Sequence, residues 1–232
     1  MVTMGGARKW SRAVVGGSRC GASRGAAQPV KHKARISVVL SARASAAMPG
    51  CTRRFGAPPI VTVAAWGGTA EGAAPQPKQS IHKITLHHQG ETWKEGADVA
   101  AYLRRLQQWS RLTKRWADIP YHYVIAPDGQ IYAARPETLS GDTNTDYNPQ
   151  GHALVMLIGN FEEVQPTAAQ LESTVSLVAW LAGTYKLSVS AIASHKDYSA
   201  QTVCPGKNFY AYLESGWVQR AVNARLGRDH PN

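Results

Sequence analysis

The chain has 232 residues, 44% of them hydrophobic and 18% charged, which suits a globular protein with one sizeable core and an extension. No apolar run approaches the roughly 18 residues that span a bilayer, so no transmembrane helix is expected. The net charge of +11 points to nucleic acid until its distribution is read. Eleven of the 26 basic residues, from Arg8 to Arg54, precede Pro58 with no acid among them, so the remainder carries 15 charges of each sign. The basicity belongs to an arm.

Residues 1–57 are rich in Arg, Ala, Ser and Gly and lack any sustained period. Three readings fit them. One is a disordered tail. Another is an export segment, since Ile36 to Leu40 and the small residues Ala42 to Ala47 imitate a signal peptide, although Arg43 interrupts the pattern. The third is an upstream start codon, with Met48 nearer the beginning of the protein. Cys20 and Cys51 lie in this arm, which leaves Cys204 as the single thiol beyond it. Three scattered cysteines make no disulfide framework.

From Pro58 the pattern changes, and residues 58–226 are expected to form the folded domain, with 227–232 a short tail. Ile60 to Val63 is a β-prone run ending at Trp66-Gly67-Gly68, and a Gly/Ala/Pro-rich connector follows to about Ser80. Ile81 to His88 alternates, with Ile84 and Leu86 on one face, and predicts a strand. Asp98 to Thr113 carries Val99, Tyr102, Leu103, Leu106 and Trp109 at helical spacing. Tyr121 to Ala126 and Gln130 to Arg135 flank Pro127-Asp128-Gly129, a hairpin signal. Leu154 to Gly159 is a continuous apolar run, suited to a strand buried on both faces.

Thr167 and Gln170 have the spacing of a capping box, in which hydroxyl and amide satisfy free N–H groups at a helix start. The helix behind it turns Leu171, Val175, Val178, Ala179 and Ala182 inward. Val189 to Ser194 predicts a last strand delivering His195, and one helix over Tyr210 to Leu226 closes the domain. This order implies an α/β fold: a single domain with a mixed central β-sheet and helices on both faces.

The domain offers His82, His87, His88, His122, His152, His195 and Cys204 as metal ligands. Taken singly, each histidine is more readily a core or surface residue than a ligand. Position sharpens the choice without closing it, since His-x8-Cys by itself is a weak pattern. His87 ends one predicted strand and His195 follows another, where loops diverge around a cleft. Cys204 comes nine residues after His195, across a loop that Pro205-Gly206 terminates. A catalytic zinc site needs about three such N or S ligands and one open position.

Three blocks in this order carry a resemblance. Ile84-Thr-Leu-His-His-Gln89 is similar to a strand ending in His-His-Thr. Asp118-Ile-Pro-Tyr-His-Tyr-Val-Ile-Ala-Pro-Asp-Gly129 resembles an Asp-Ile-Gly-Tyr-His-Phe run. Ser194-His-Lys-Asp-Tyr-Ser-Ala-Gln-Thr-Val-Cys-Pro-Gly206 resembles a His-Arg-Asp loop ending in Thr-x-Cys-Pro-Gly. Together they resemble the type 2 N-acetylmuramoyl-L-alanine amidases, a family that includes phage amidases and the peptidoglycan recognition proteins. The resemblance covers roughly Pro58 to Leu213.

It implies zinc on His87, His195 and Cys204, and hydrolysis of the amide between N-acetylmuramic acid and L-alanine in bacterial peptidoglycan. Tyr121 matches the family's tyrosine beside the attacking water. Thr202 matches a position holding Thr or Lys and is expected to donate to the oxyanion. Three departures stand out. The loop from His195 to Cys204 is one residue longer than the usual form, Gln89 replaces Thr, and Met156 stands where a cytoplasmic subgroup has a catalytic Glu. The chain therefore resembles the Tyr-using branch.

Strand alternation turns His88 away from the metal and gives His122 a structural role. His152 and Trp93 are expected to contact substrate. The expected partner is the peptidoglycan muropeptide and no specific nucleic acid. A monomer, secreted or in the cell envelope, is the expected state. Two rival readings are a peptidoglycan-binding module without catalysis and a nucleic-acid-binding protein driven by the arm.

Overall fold

The architecture was obtained as a computed structural model that describes residues 56–69 and 75–228. The readings made for the basic arm up to Phe55, for the middle of the Gly/Ala/Pro connector and for residues 229–232 lie outside the described residues. Among the described residues six strands form one mixed sheet: β1 (Ile60–Val61), β2 (Lys83–His88), β3 (Tyr123–Ile125), β4 (Ile131–Ala133), β5 (His152–Leu157) and β6 (Ile192–Ser194). Their order is β1-β4-β3-β5-β2-β6. Only β3 and β4 pair antiparallel, through the expected hairpin at Gly129. The others run parallel, so β5 and β2 sit at the centre with partners on both sides.

Alternation along the strands divides the core in two. Ile84, Leu86, Ile125, Val155 and Leu157 face one side and pack on helix α2 (Ala168–Thr184), α3 (Lys207–Glu214) and α4 (Trp217–Arg225). Val124, Met156 and Ile158 face the other, against Leu103 of α1 (Val99–Leu112), Trp66 and Ile119. The expected α/β architecture, with helices on both faces of a mixed sheet, is what the chain adopts. Among the described residues no helix is long and apolar enough to cross a membrane.

The local signals explain where elements begin. Asp98 caps α1 through its carboxylate on Ala101 N–H, at 3.0 Å. The predicted capping box forms completely, with the Thr167 hydroxyl on Gln170 N–H and the Gln170 amide oxygen on Thr167 N–H.

Strands β1 to β4 are each shorter than the runs expected for them, and three larger differences follow. The central strand runs His152–Leu157, two residues earlier than its apolar stretch, because β2 starts pairing at Lys83 opposite His152. Only Ile192–Ser194 of the last predicted strand is extended. Val189–Ala191 is a 3₁₀ turn that the Ser188 hydroxyl caps through Ser190 N–H. The single closing helix is instead two, broken where Gly216 adopts φ 70°, a left-handed conformation that glycine takes at little cost.

Candidate active site

Register places the two histidines side by side. β2 and β6 pair in parallel with Leu86 opposite Ser194, so His87 and His195 are the next residues at the carboxyl ends of adjacent strands. Their ring centroids are 4.7 Å apart. Beyond β6 a 3₁₀ turn (His195–Asp197) is fixed by Asp197, which accepts from both Ser194 N–H and the Ser194 hydroxyl at 2.7 Å. The loop then returns, and Lys196 N–H closes it on the Cys204 carbonyl at 2.9 Å.

Gly206 lets this loop end where it must. Its φ is 85°, and a Cβ there would lie 2.5 Å from the Phe161 carbonyl carbon. Cys204 is thereby brought under β2, where its Sγ accepts the His88 N–H at 3.3 Å and lies 3.6 Å from His87 Nδ1. One ligand atom each from His87, His195 and Cys204 fall within 4.8 Å of one another. The three residues that position and resemblance singled out thus meet at one point.

The donor set fits zinc. Bond lengths of about 2.0–2.1 Å to nitrogen and 2.3 Å to sulfur put N and S roughly 3.5 Å apart in a tetrahedral site, close to the observed 3.6 Å. Burial and the neighbouring His195 hold the His87 imidazole well below its ordinary pKa. Burial, reinforced by His88, lowers His195 to about 4. Both rings are therefore neutral at pH 7, as metal ligation requires. Burial pushes the Cys204 thiol up to about 12 despite the His88 N–H, so a nearby cation would be needed to hold it as thiolate.

The cluster opens on a cleft of about 400 Å³, whose lining includes Gln89, Trp116, Tyr121, Asp142, Thr145 and Thr202. The Tyr121 ring lies 5.1 Å from that of His87. Burial raises its pKa well above the usual tyrosine value, with the adjacent Cys204 reinforcing the shift. It is a phenol donor at any working pH. The Thr202 hydroxyl accepts Cys204 N–H at 3.0 Å, which leaves its own proton available to the cleft.

His152 and Trp93, expected to touch substrate, are not among the cleft-lining residues. His152 is only 4% exposed and bonds the Thr85 hydroxyl through Nδ1 at 2.8 Å. Trp93 packs edge-on against Tyr102 of α1, at 5.4 Å. His88 points to the other side of the sheet, where its Nδ1 accepts Phe161 N–H. His122 ties β5 to the segment around Leu139, accepting Leu154 N–H on Nδ1 and bonding the Leu139 carbonyl through Nε2. Met156 is fully buried beside His87.

Four contributors escaped the sequence reading: Trp116, Asp142, Thr143 and Thr145. The loop 140–146 has no period and no motif, so nothing in it marked a role. Asp142 is held by Arg135, whose guanidinium also donates to the carbonyls of Asp118, Ile119 and Ser140.

Fold and site together define an α/β protein with a cleft, lined by two histidines and a cysteine, at the carboxyl edge of its parallel strands. A family model described as N-acetylmuramoyl-L-alanine amidase matches residues 77–207, more than half of the chain. The chain belongs to that family. Peptidoglycan-recognition protein SD of Drosophila simulans is 29% identical over 164 residues, covering 67% of this chain and 84% of that one. An N-acetylmuramoyl-L-alanine amidase of Sus scrofa is 28% identical over 178 residues, 74% of this chain but 29% of that longer protein. Among solved structures, the N-acetylmuramoyl-L-alanine amidase LysC from Clostridium intestinale URNW superposes with TM-score 0.54 at 28% identity, covering 73% of this chain and 98% of that chain.

Proposed function

We propose that the protein is a zinc-dependent N-acetylmuramoyl-L-alanine amidase, which hydrolyses the bond between the lactyl group of N-acetylmuramic acid and L-alanine in bacterial peptidoglycan. The convergence of His87, His195 and Cys204 on an open cleft beside Tyr121 carries this reading. A peptidoglycan-binding module without catalysis would have no need of a complete N, N, S donor set. Such a substrate lies outside the cytoplasmic membrane, so the protein works in the cell envelope or after secretion.

Zinc held by His87, His195 and Cys204 would supply Lewis acidity, lowering the pKa of a water towards neutrality and polarising the scissile carbonyl. The remaining work falls to the chain. Tyr121, kept protonated by burial, donates its O–H into the cleft and orients the attacking water or the carbonyl oxygen. Thr202 donates its O–H to the oxygen that gains charge as water adds, while Cys204 N–H fixes the hydroxyl's position. Collapse breaks the C–N bond, leaving a lactyl carboxylate and the free amine of L-alanine.

The test is mass spectrometry of products from defined muropeptides, with and without a chelator. The reading expects a free L-alanine amine and an intact lactyl ether, lost on chelation and restored by zinc. Binding of cell walls with no cleavage at any metal loading would overturn it in favour of the recognition module. Tyr121→Phe should keep stoichiometric zinc and lower turnover about 10²-fold, the scale of one transition-state donor. A fall in zinc content instead would make Tyr121 structural.

A further inference from the structure

The loop 140–146 does more than line the cleft. His195 Nε2 lies 2.7 Å from the Thr145 hydroxyl and 3.5 Å from that of Thr143. The two threonine oxygens are 2.9 Å apart, and Thr145 N–H donates to Thr143 Oγ1 at 3.2 Å. These contacts engage one imidazole nitrogen and leave Nδ1 as the other. A histidine that ligates a metal carries its single proton on the nitrogen that does not ligate, and the partner of that N–H sets both tautomer and ring angle.

We infer that Thr145 is the positioning residue of the metal site, accepting the His195 Nε2–H so that Nδ1 is the nitrogen presented to the ion. The inference rests on the zinc reading above. With Thr145 Oγ1 accepting from Nε2–H, its own O–H is free to donate to Thr143 Oγ1, 2.9 Å away, which links the three groups in one chain.

The loop is anchored well enough to serve. Arg135, 1% exposed in its side chain, binds the Ser140 carbonyl and the Asp142 carboxylate at one end. At the other end Asp146 accepts the Ser199 hydroxyl, which ties the loop to the segment between His195 and Cys204. Tyr147 then packs its ring 5.0 Å from that of His195. The Thr145 hydroxyl is thus held between two anchors.

The experiment compares zinc affinity, by competition with a chromophoric chelator, in the full chain and in Thr145→Val and Thr145→Ser. Valine keeps the branched shape and loses the oxygen; serine keeps the oxygen. Thr145→Val should bind zinc about 10–100-fold more weakly, the usual effect of losing such a partner. Thr145→Ser should stay within about threefold of the parent by the same reasoning. Nitrogen-15 spectra of the metal-free protein add a readout that a packing role would not move. The parent should show His195 as the Nε2–H tautomer, and the valine variant a mixture of tautomers. Equal affinity in the parent and Thr145→Val overturns the inference while the zinc reading stands. So does an equal loss in both variants, which would assign the effect to packing. A parent that binds no zinc removes the zinc reading and this inference with it.

Discussion

Cys204→Ser should abolish lysis of purified cell walls and leave the site without stoichiometric zinc. The substitution removes the only charged ligand. A serine hydroxyl cannot ionise at neutral pH, whereas a thiol beside a divalent cation does. The remaining two imidazoles are neutral and offer the ion no counter-charge. The fold should survive, because oxygen is smaller than sulfur and the His88 N–H that meets Sγ can still find an acceptor. Turnover should therefore fall by more than about 10³-fold, beyond the loss of a single oxyanion donor, while the unfolding midpoint of the metal-free protein moves little. Turbidity loss of cell-wall suspensions and metal analysis after gel filtration read the two effects. Full activity together with one zinc per chain would refute the ligand assignment, and the amidase chemistry proposed above would need another origin.

The second large effect concerns stability. Arg135 is the most deeply buried ion of the three described salt bridges, with its side chain 1% exposed against 19% for Asp142. Its guanidinium also takes the carbonyls of Asp118, Ile119 and Ser140, none of which has water to fall back on once the arginine is gone. Arg135→Met should destabilise the protein by about 3–5 kcal/mol, because it leaves three buried carbonyls without a donor and takes the counter-charge from Asp142. Urea unfolding followed by tryptophan fluorescence measures the change. By contrast, Arg104 and Asp98 are 4.0 Å apart and about half exposed, so screening leaves that pair little to contribute. A loss below about 1 kcal/mol for Arg135→Met would place it with such surface pairs and would undo its role as anchor of the loop carrying Thr145.

The site was legible to different degrees for different residues. His87 and His195 could be placed because one lies at the end of a strand and the other follows directly on one, and strand ends are where side chains leave the sheet. Cys204 could be joined to them because a loop bounded by Pro205-Gly206 is short enough to return. Thr145 gave no such signal. It lies in an irregular stretch some fifty residues from His195 in the chain, and only the folding of that stretch brings hydroxyl and imidazole to 2.7 Å. His152 differs in another way: in the sequence it precedes the apolar run, whereas pairing extends the strand to include it and packs its ring against Tyr198.

The sequence by itself determined the alternation and helical spacing that build an α/β sheet with two covered faces, together with the complete capping box of α2. These are local matters, set by which neighbours in the chain share a face or can satisfy a nearby N–H. The motif blocks likewise determined which residues had the chemistry to hold a metal. Tertiary structure decided what those residues face. The parallel register of β2 and β6 puts the imidazoles side by side, the close approach of Gly206 to Phe161 sets where the sulfur arrives, and the Arg135 clamp holds the hydroxyl behind His195. Each of these is a contact between distant parts of the chain, whose geometry depends on how whole elements pack and is written in no short stretch of residues.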